Sequence, residues 1–259
     1  MAGETVLEET QAEGVLYLRL NRPEALNALN DALLETLHDR WQAAEADQRV
    51  RAIVVTGNGR AFCAGQDLKE YDPQGDVGEH LRRRYLPLIR AIAQGSKPSL
   101  AMINGVAAGA GMSLAMACDL KIMARGATLV QSFVRIGLVP DSGSTYFLAQ
   151  AVGVTRALEL ALLGDPIDAD TALQWGLVNR VVESQQLEEI AAEWARRLAA
   201  GPPLALSAIK KAIRQAPHST LDEAMAREVE LQVAAARSRD HRLGLEAFFA
   251  RRAPRFEGR

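Results

Sequence analysis

Two short apolar runs, Ala52–Thr56 (AIVVT) and Ser99–Ile103 (SLAMI), are each followed within a few residues by a turn of small side chains. The first turn is Arg60–Leu68 (RAFCAGQDL), and the second is Asn104–Ser113 (NGVAAGAGMS), which opens into an apolar helical stretch. Apolar runs of this length, bounded by turn signals, read as buried strands, and strands alternating with helices make a mostly parallel sheet with both faces covered. Turns that follow neighbouring parallel strands lie on one edge of the sheet, where α/β folds bind their ligands.

The flanking sequence keeps this rhythm. Gly14–Leu20 and Leu120–Ala124 read as strands, and Asn30–Ala46, Glu79–Ala93 and Ala110–Cys118 read as helices. Beyond about Val182 the pattern becomes helical, with Leu187–Ala200, Pro203–Gln215, Leu221–Ala236 and His241–Arg251 set off by Gly201-Pro202-Pro203 and Pro217. The expectation is therefore an α/β part over residues 1–182 and a helical part over 183–259. At 259 residues and 48% hydrophobic composition, the chain can bury a large core.

The charge balance of 30 basic against 32 acidic residues provides no field that would draw the chain onto nucleic acid or an anionic membrane. Cys63 and Cys118 are the only cysteines and form no C-x-x-C pair, so neither a disulfide framework nor a zinc or other metal site is expected. The acidic start MAGETVLEET lacks an apolar signal core, and no run approaches the roughly 18 apolar residues of a membrane span. These features predict a soluble, cytoplasmic protein.

The glycine turns fit neither common nucleotide motif. No G-x-x-x-x-G-K-[ST] occurs, and Gly109-Ala110-Gly111 lacks the third glycine and the ribose-reading acid of a dinucleotide site. Backbone N–H groups from two converging turns are instead what stabilises an enolate or tetrahedral oxyanion at a thioester carbonyl. Taken alone, Asp67 reads as a cap for the segment that follows it. His38, His80, His218 and His241 read as solvent-facing helix residues away from the glycine turns, and Cys63, with no paired histidine, reads as packing.

Taken together, the motifs Leu20–Leu29 (LNRPEALNAL), Ala61–Leu68, Asn104–Ser113, Cys118-Asp119, Gly137–Asp141 (GLVPD), Gly164–Ile167 and Ala172–Val178 resemble, in order and spacing, the crotonase or enoyl-CoA hydratase/isomerase superfamily. The resemblance spans nearly the whole chain. It implies an α/β crotonase-like ββα spiral core with a C-terminal helical trimerisation region, and a homotrimer or dimer of trimers. It also implies an acyl-CoA thioester substrate, with coenzyme A carried by the substrate and no separate cofactor. By the same resemblance the oxyanion hole consists of the Gln66 and Ala110 N–H groups. Coenzyme A would be read by Ala25 and Leu26, by Ala64 and Asp67, and from the C-terminal part by Phe248 and Arg251.

Hydratases of this superfamily carry two glutamates that activate water, and the matching positions here are Ser113 and Phe133. Neither is a carboxylate, and Phe133 makes that wall of the pocket apolar. An acid stands instead at Asp141, in a Pro140-Asp141-Ser142-Gly143 turn that in isolation would read as a helix cap. With both glutamates gone, Asp141 is the expected acid/base group, its pKa raised by apolar surroundings. The sequence thus resembles the isomerase branch that acts on ring-epoxidised phenylacetyl thioesters, and the same apparatus suits a shift of an enoyl double bond between positions 3 and 2. Two alternatives stand beside it: water addition or hydrolysis using Asp141 and Ser113, and a crotonase-fold binding protein without turnover.

Overall fold

The computed structural model of the chain describes residues 6–70 and 74–259. Among the described residues, six strands form the larger sheet in the order β1 (Leu7–Ala12), β2 (Val15–Leu20), β3 (Ala52–Gly57), β5 (Ser99–Ile103), β7 (Leu120–Ala124) and β10 (Arg180–Val182). A smaller sheet runs β4 (Ala61–Cys63), β6 (Val106–Ala108), β8 (Thr128–Val130) and β9 (Ile167–Asp168). Only β1 with β2 and β8 with β9 are antiparallel.

The connections repeat one unit: a strand of the large sheet, a short strand of the small sheet, then a helix. β3 and β4 lead to α2 (Val77–His80) and α3 (Leu86–Gln94), β5 and β6 to α4 (Ala110–Ala117), and β7 and β8 to α5 (Ser144–Leu163). This is the expected ββα spiral. Its consequence for the site is direct, because β4 and β6 pair in parallel and so place the two small-residue turns side by side.

Local sequence explains why these elements form. Every residue of β3 is buried, as an uninterrupted apolar run requires. α1 (Asp31–Ala46) is capped by Asn30, whose side chain accepts from Leu33 N at 3.0 Å, and it buries Leu33, Leu34, Leu37, Trp41 and Ala44 along one stripe. Each leucine so buried contributes roughly 1.5–3 kcal/mol. α7 (Leu187–Ala200) lies on the large sheet through Leu187, Ala191, Ala195 and Ala199, a four-residue ladder whose small side chains allow close approach. A helix from beyond residue 182 thus helps to close the core.

The helix expected over Glu79–Ala93 is interrupted by a π turn at Leu81–Tyr85, where the Leu86 N–H bonds back to the Leu81 carbonyl five residues earlier. Pro87 supplies the reason. It has no N–H to donate, and its ring crowds the carbonyl four residues back, so the wider turn relieves the conflict. The last helix, α10 (Arg239–Phe249), starts two residues earlier than expected because Ser238 caps it, accepting from His241 N at 3.0 Å. Between them, α6 (Ala169–Gln174), α8 (Pro203–Gln215) and α9 (Leu221–Ala236) complete the chain, and α8 and α9 contain no buried residue. α8 is tied to the core by Asp119, which pairs with Lys210 at 2.9 Å and Arg214 at 2.8 Å while accepting from the Ser99 N–H and hydroxyl. By length and composition α5 is apolar enough to cross a membrane, but Gly153, at φ 74°, breaks its helical backbone.

Candidate active site

The first turn is oriented by Leu29. Leu29 N donates to Gly65 O at 2.7 Å and Asp67 N donates to Leu29 O at 3.0 Å, so both residues flanking Gln66 bond to one side. Backbone groups alternate along an extended segment, and the Gln66 N–H therefore points to the other side, where no acceptor among the described residues meets it. Ala110 is the first residue of α4, and its N–H is likewise without a protein partner, as expected for the first turn of a helix. A Cβ built on Gly65 would stand 3.5 Å from the Ala110 nitrogen, so the two turns meet. The structure thus brings together two free donors at a helix N-terminus.

Glycine is required at this junction. Gly65 has φ +95°, and a Cβ there would lie 2.8 Å from the Ala108 carbonyl oxygen. Gly65→Ala is therefore expected to push the turns apart and lower kcat roughly 10-fold or more while the circular dichroism spectrum is retained. A wild-type rate for this variant would show that the two turns need not lie so close. Cys63, immediately before this turn, is buried and its thiol is pushed up to about 12, which makes it inert at neutral pH.

Of the residues expected to read coenzyme A, Ala25, Leu26, Ala64 and Asp67 gather around the same turn. Ala25 and Leu26 end a short 3-10 turn, and Leu26 O accepts from Ala64 N at 3.0 Å. Buried Asn27 fixes this arrangement by donating to Asn58 O at 2.9 Å and Ala61 O at 2.8 Å. Asp67 is nearby, but its carboxylate faces inward: it pairs with Arg22 at 2.8 Å and accepts from Lys69 N at 3.0 Å. Burial alone would raise its pKa; the Arg22 and Lys69 bonds win and lower it. Phe248 and Arg251 are exposed, one on α10 and one just past it.

Asp141 occupies a loop between a 3-10 turn at Ser132–Ile136 and α5. It does not cap that helix: the N-cap position is Gly143, with no side-chain cap bond. The Asp141 backbone carbonyl accepts from Ser144 N at 2.9 Å and from the Ser113 hydroxyl at 3.3 Å, whereas its carboxylate Oδ1 is buried with no partner. Burial raises its pKa, and the nearby Ser142 hydroxyl and His80 ring offset only part of that rise. The loop stores strain, since Ser142 at φ 52° and Gly143 at φ 80° both adopt left-handed backbone. Such strain typically marks a functional site.

Ser113 and Phe133 both lie against Gly109 of the second turn. The Ser113 hydroxyl has one proton, within reach of the Gly109 carbonyl at 3.2 Å and the Asp141 carbonyl at 3.3 Å, and it bonds Ser144 Oγ at 2.6 Å, so it braces the Asp141 loop. Phe133 is buried against Gly109, from whose Cβ position two of its ring atoms would stand 3.8 Å away.

His80 and Tyr85 were missed as site residues, and His80 corrects an expectation. Of the four histidines read as remote from the glycine turns, His80 lines a cavity of about 280 Å³ together with Gln66, and its Nε2 is buried without a partner. Tyr85 is buried, and its hydroxyl donates to the Gln66 side-chain oxygen. Both rings belong to a stretch that reads as an ordinary surface helix, His80 just before the π turn and Tyr85 at its end. The sequence marked Tyr71–Tyr85 as the variable pocket wall; Tyr71, Asp72 and Pro73 lie outside the described residues. A larger apolar cleft of about 440 Å³, between Pro98, Asp119 and α8, lies at the opposite, N-terminal ends of the strands and holds none of these groups.

Comparison with known proteins agrees with this geometry. The enoyl-CoA hydratase/isomerase family profile matches residues 10–259. The chain is 43% identical over 252 residues to 1,2-epoxyphenylacetyl-CoA isomerase of Escherichia coli (strain K12), covering 95% of this chain and 96% of that protein. It is 37% identical over 250 residues to 2,3-dehydroadipyl-CoA hydratase of the same organism, covering 96% and 98%. A crystal structure of an enoyl-CoA hydratase from Bacillus anthracis superposes with a TM-score of 0.92 at 33% identity, covering 98% of this chain and 100% of that one.

Proposed function

Because the chain belongs to the enoyl-CoA hydratase/isomerase family, we propose that it is an acyl-CoA isomerase with Asp141 as its acid/base group. Its substrates would be a ring-1,2-epoxyphenylacetyl thioester, a 3-enoyl thioester, or both. The observation that carries this is the half-buried Asp141 carboxylate, whose Oδ1 is buried without a partner and whose pKa burial raises, on a strained loop. A fold that needed only a helix cap would not keep such a group.

In this scheme the thioester oxygen accepts from the Gln66 and Ala110 N–H groups. Asp141 takes a proton α or γ to the carbonyl: the C–H bond breaks, a carboxyl O–H forms, and the electron pair moves into the enolate. The same proton then returns to the other carbon; removal at α with return at γ turns a 3-enoyl into the conjugated 2-enoyl thioester. With the epoxide, Asp141 assists ring opening toward the oxepin. Coenzyme A arrives with the substrate, against Ala25, Leu26, Ala64 and Asp67, with Phe248 and Arg251 meeting the nucleotide from the C-terminal part. A homotrimer or dimer of trimers fits the apolar Val154, Leu158, Leu162, Ile209, Ile213 and Val229, all exposed in the single chain.

Water addition is disfavoured at Ser113, which is no carboxylate and whose hydroxyl is already bonded within the Gly109, Asp141 and Ser144 backbone and side-chain cluster. The test compares 3-enoyl-CoA and crotonyl-CoA by the absorbance of the conjugated thioester. Isomerisation is expected to exceed crotonyl-CoA hydration by at least about 10²-fold, the usual effect of a missing acid/base partner. Robust hydration would instead place the chain with the hydratases, and no turnover of any acyl-CoA would favour a binding protein.

A further inference from the structure

Three polar side chains join the helix that begins at Ala110 to the Asp141 loop. Gln131 directly follows β8, Ser144 is the first residue of α5, Ser113 lies one turn into α4, and all three are fully buried. Gln131 Nε2 can only donate, and it meets Ser144 Oγ at 3.3 Å. Ser144 has one hydroxyl proton, and its other neighbour is Ser113 Oγ at 2.6 Å, so that proton goes to Ser113. Ser113 then has its own proton for the Gly109 carbonyl at 3.2 Å or the Asp141 carbonyl at 3.3 Å. Donation therefore runs from Gln131 through Ser144 to Ser113, and it ends on the two backbone segments that carry the proposed chemistry. Gly109 immediately precedes the Ala110 donor, and Asp141 bears the carboxylate.

We propose that Ser144, oriented by Gln131, is a positioning residue that sets the reach of Asp141 toward a thioester held at Ala110. Each end of the relay is anchored by backbone. Gly109 N donates to Val130 O, one residue before Gln131, at 2.9 Å, and Ser144 N donates to Asp141 O at 2.9 Å. The Ser144 hydroxyl is the link between these two anchored pieces. Without it, Gln131 loses its acceptor and Ser113 loses its donor, and the loop is tied to α4 by the shared Ser113 proton alone. The carbon that gives up its proton is bonded to the thioester carbonyl, so a small shift of the loop on α4 changes the approach of the carboxylate to it. The same region keeps Gln131 Oε1, Asp141 Oδ1 and Ser142 Oγ buried without a protein partner, a cost that packing alone does not explain. Ser144 touches no reacting atom in this scheme and acts through Asp141.

This inference rests on Asp141 as the acid/base group, and its test keeps the two ideas apart. Ser144→Ala removes the hydroxyl but keeps the backbone N–H that holds Asp141 O. It is expected to lower kcat for 3-enoyl-CoA isomerisation about 10-fold, with KM within about twofold of wild type. The reaction is also run in deuterated water. Wild type should return mostly the substrate's own proton, whereas a displaced Asp141 exchanges its proton with solvent before returning it, so the 2-enoyl product of the variant should carry more deuterium. A smaller folded fraction would lower kcat without changing that ratio. Gln131→Leu removes the donor to Ser144 and is expected to move both readouts the same way, with no further effect in a Ser144→Ala background. It also carries the test if Ser144→Ala does not fold. A wild-type kcat in either folded variant overturns the proposal, and so does a lowered kcat with the deuterium content of wild type. An inactive Asp141→Asn beside a silent Ser144→Ala removes this inference alone; an active Asp141→Asn removes the acid/base reading and the inference with it.

Discussion

Asp141→Asn is expected to lower kcat for 3-enoyl-CoA isomerisation by at least about 10²-fold while leaving acyl-CoA affinity close to wild type. The amide fills the same space but has no basic oxygen able to accept a proton from carbon. Because Oδ1 makes no hydrogen bond in the folded chain, the substitution breaks no internal network. A second consequence follows from the raised pKa. Ionising a buried carboxylate opposes folding, so the stability attached to this group is fully present below the unfolded value of about 3.8 and is lost as pH rises through the higher folded value. Asn does not ionise, so the difference in Tm, variant minus wild type, should grow as pH rises from about 4 toward neutrality. Activity and stability then move in opposite directions, which separates a catalytic role from a structural one. A variant that retained more than half its isomerase activity would remove Asp141 from the mechanism.

The parts of this site that were legible in the sequence are those fixed by backbone. Gly65, Gly109 and the start of α4 follow from small residues after apolar strands, and the pairing of β4 with β6 brings the expected donors together. The strands that do this, only three residues each, were not anticipated, because so short a run carries no periodicity. Asp141 was legible as a carboxylate standing where Ser113 and Phe133 are not; that it leaves α5 uncapped required coordinates. His80 was illegible for a different reason. Its sequence neighbourhood, Glu79 to Arg84, is charged and reads as a solvated helix face. The π turn that follows it has its physical reason in Pro87, outside that stretch. Asp67 illustrates a further limit, since its carboxylate could be counted as free until Arg22, 45 residues earlier by number (67 − 22), was seen to pair with it at 2.8 Å. Removing Arg22 would strand that buried charge, a loss of roughly 3–5 kcal/mol in comparable pairs.

Ala110→Pro tests the oxyanion hole itself, where a backbone N–H rather than a side chain does the work. Ala110 is the first residue of α4, the position at which proline's fixed φ is already helical and its missing N–H breaks no intrahelical bond. In this chain the Ala110 N–H has no protein acceptor, so the substitution also removes nothing from the folded network. Gly109 before it, at φ 49° and ψ −123°, is a glycine and tolerates a following proline better than a residue with a Cβ. What is lost is one of two donors to the thioester oxygen, worth roughly 2.7–4 kcal/mol in comparable sites, so kcat should fall by about 10²–10³-fold. Ala110→Gly retains the donor at a helix penalty of up to about 1 kcal/mol and should turn over at nearly the wild-type rate. If Ala110→Pro, with an unchanged circular dichroism spectrum and oligomer size, matched wild type in kcat, the thioester oxygen must be held elsewhere. The convergence of Gln66 and Ala110 would then be a packing feature of two neighbouring turns.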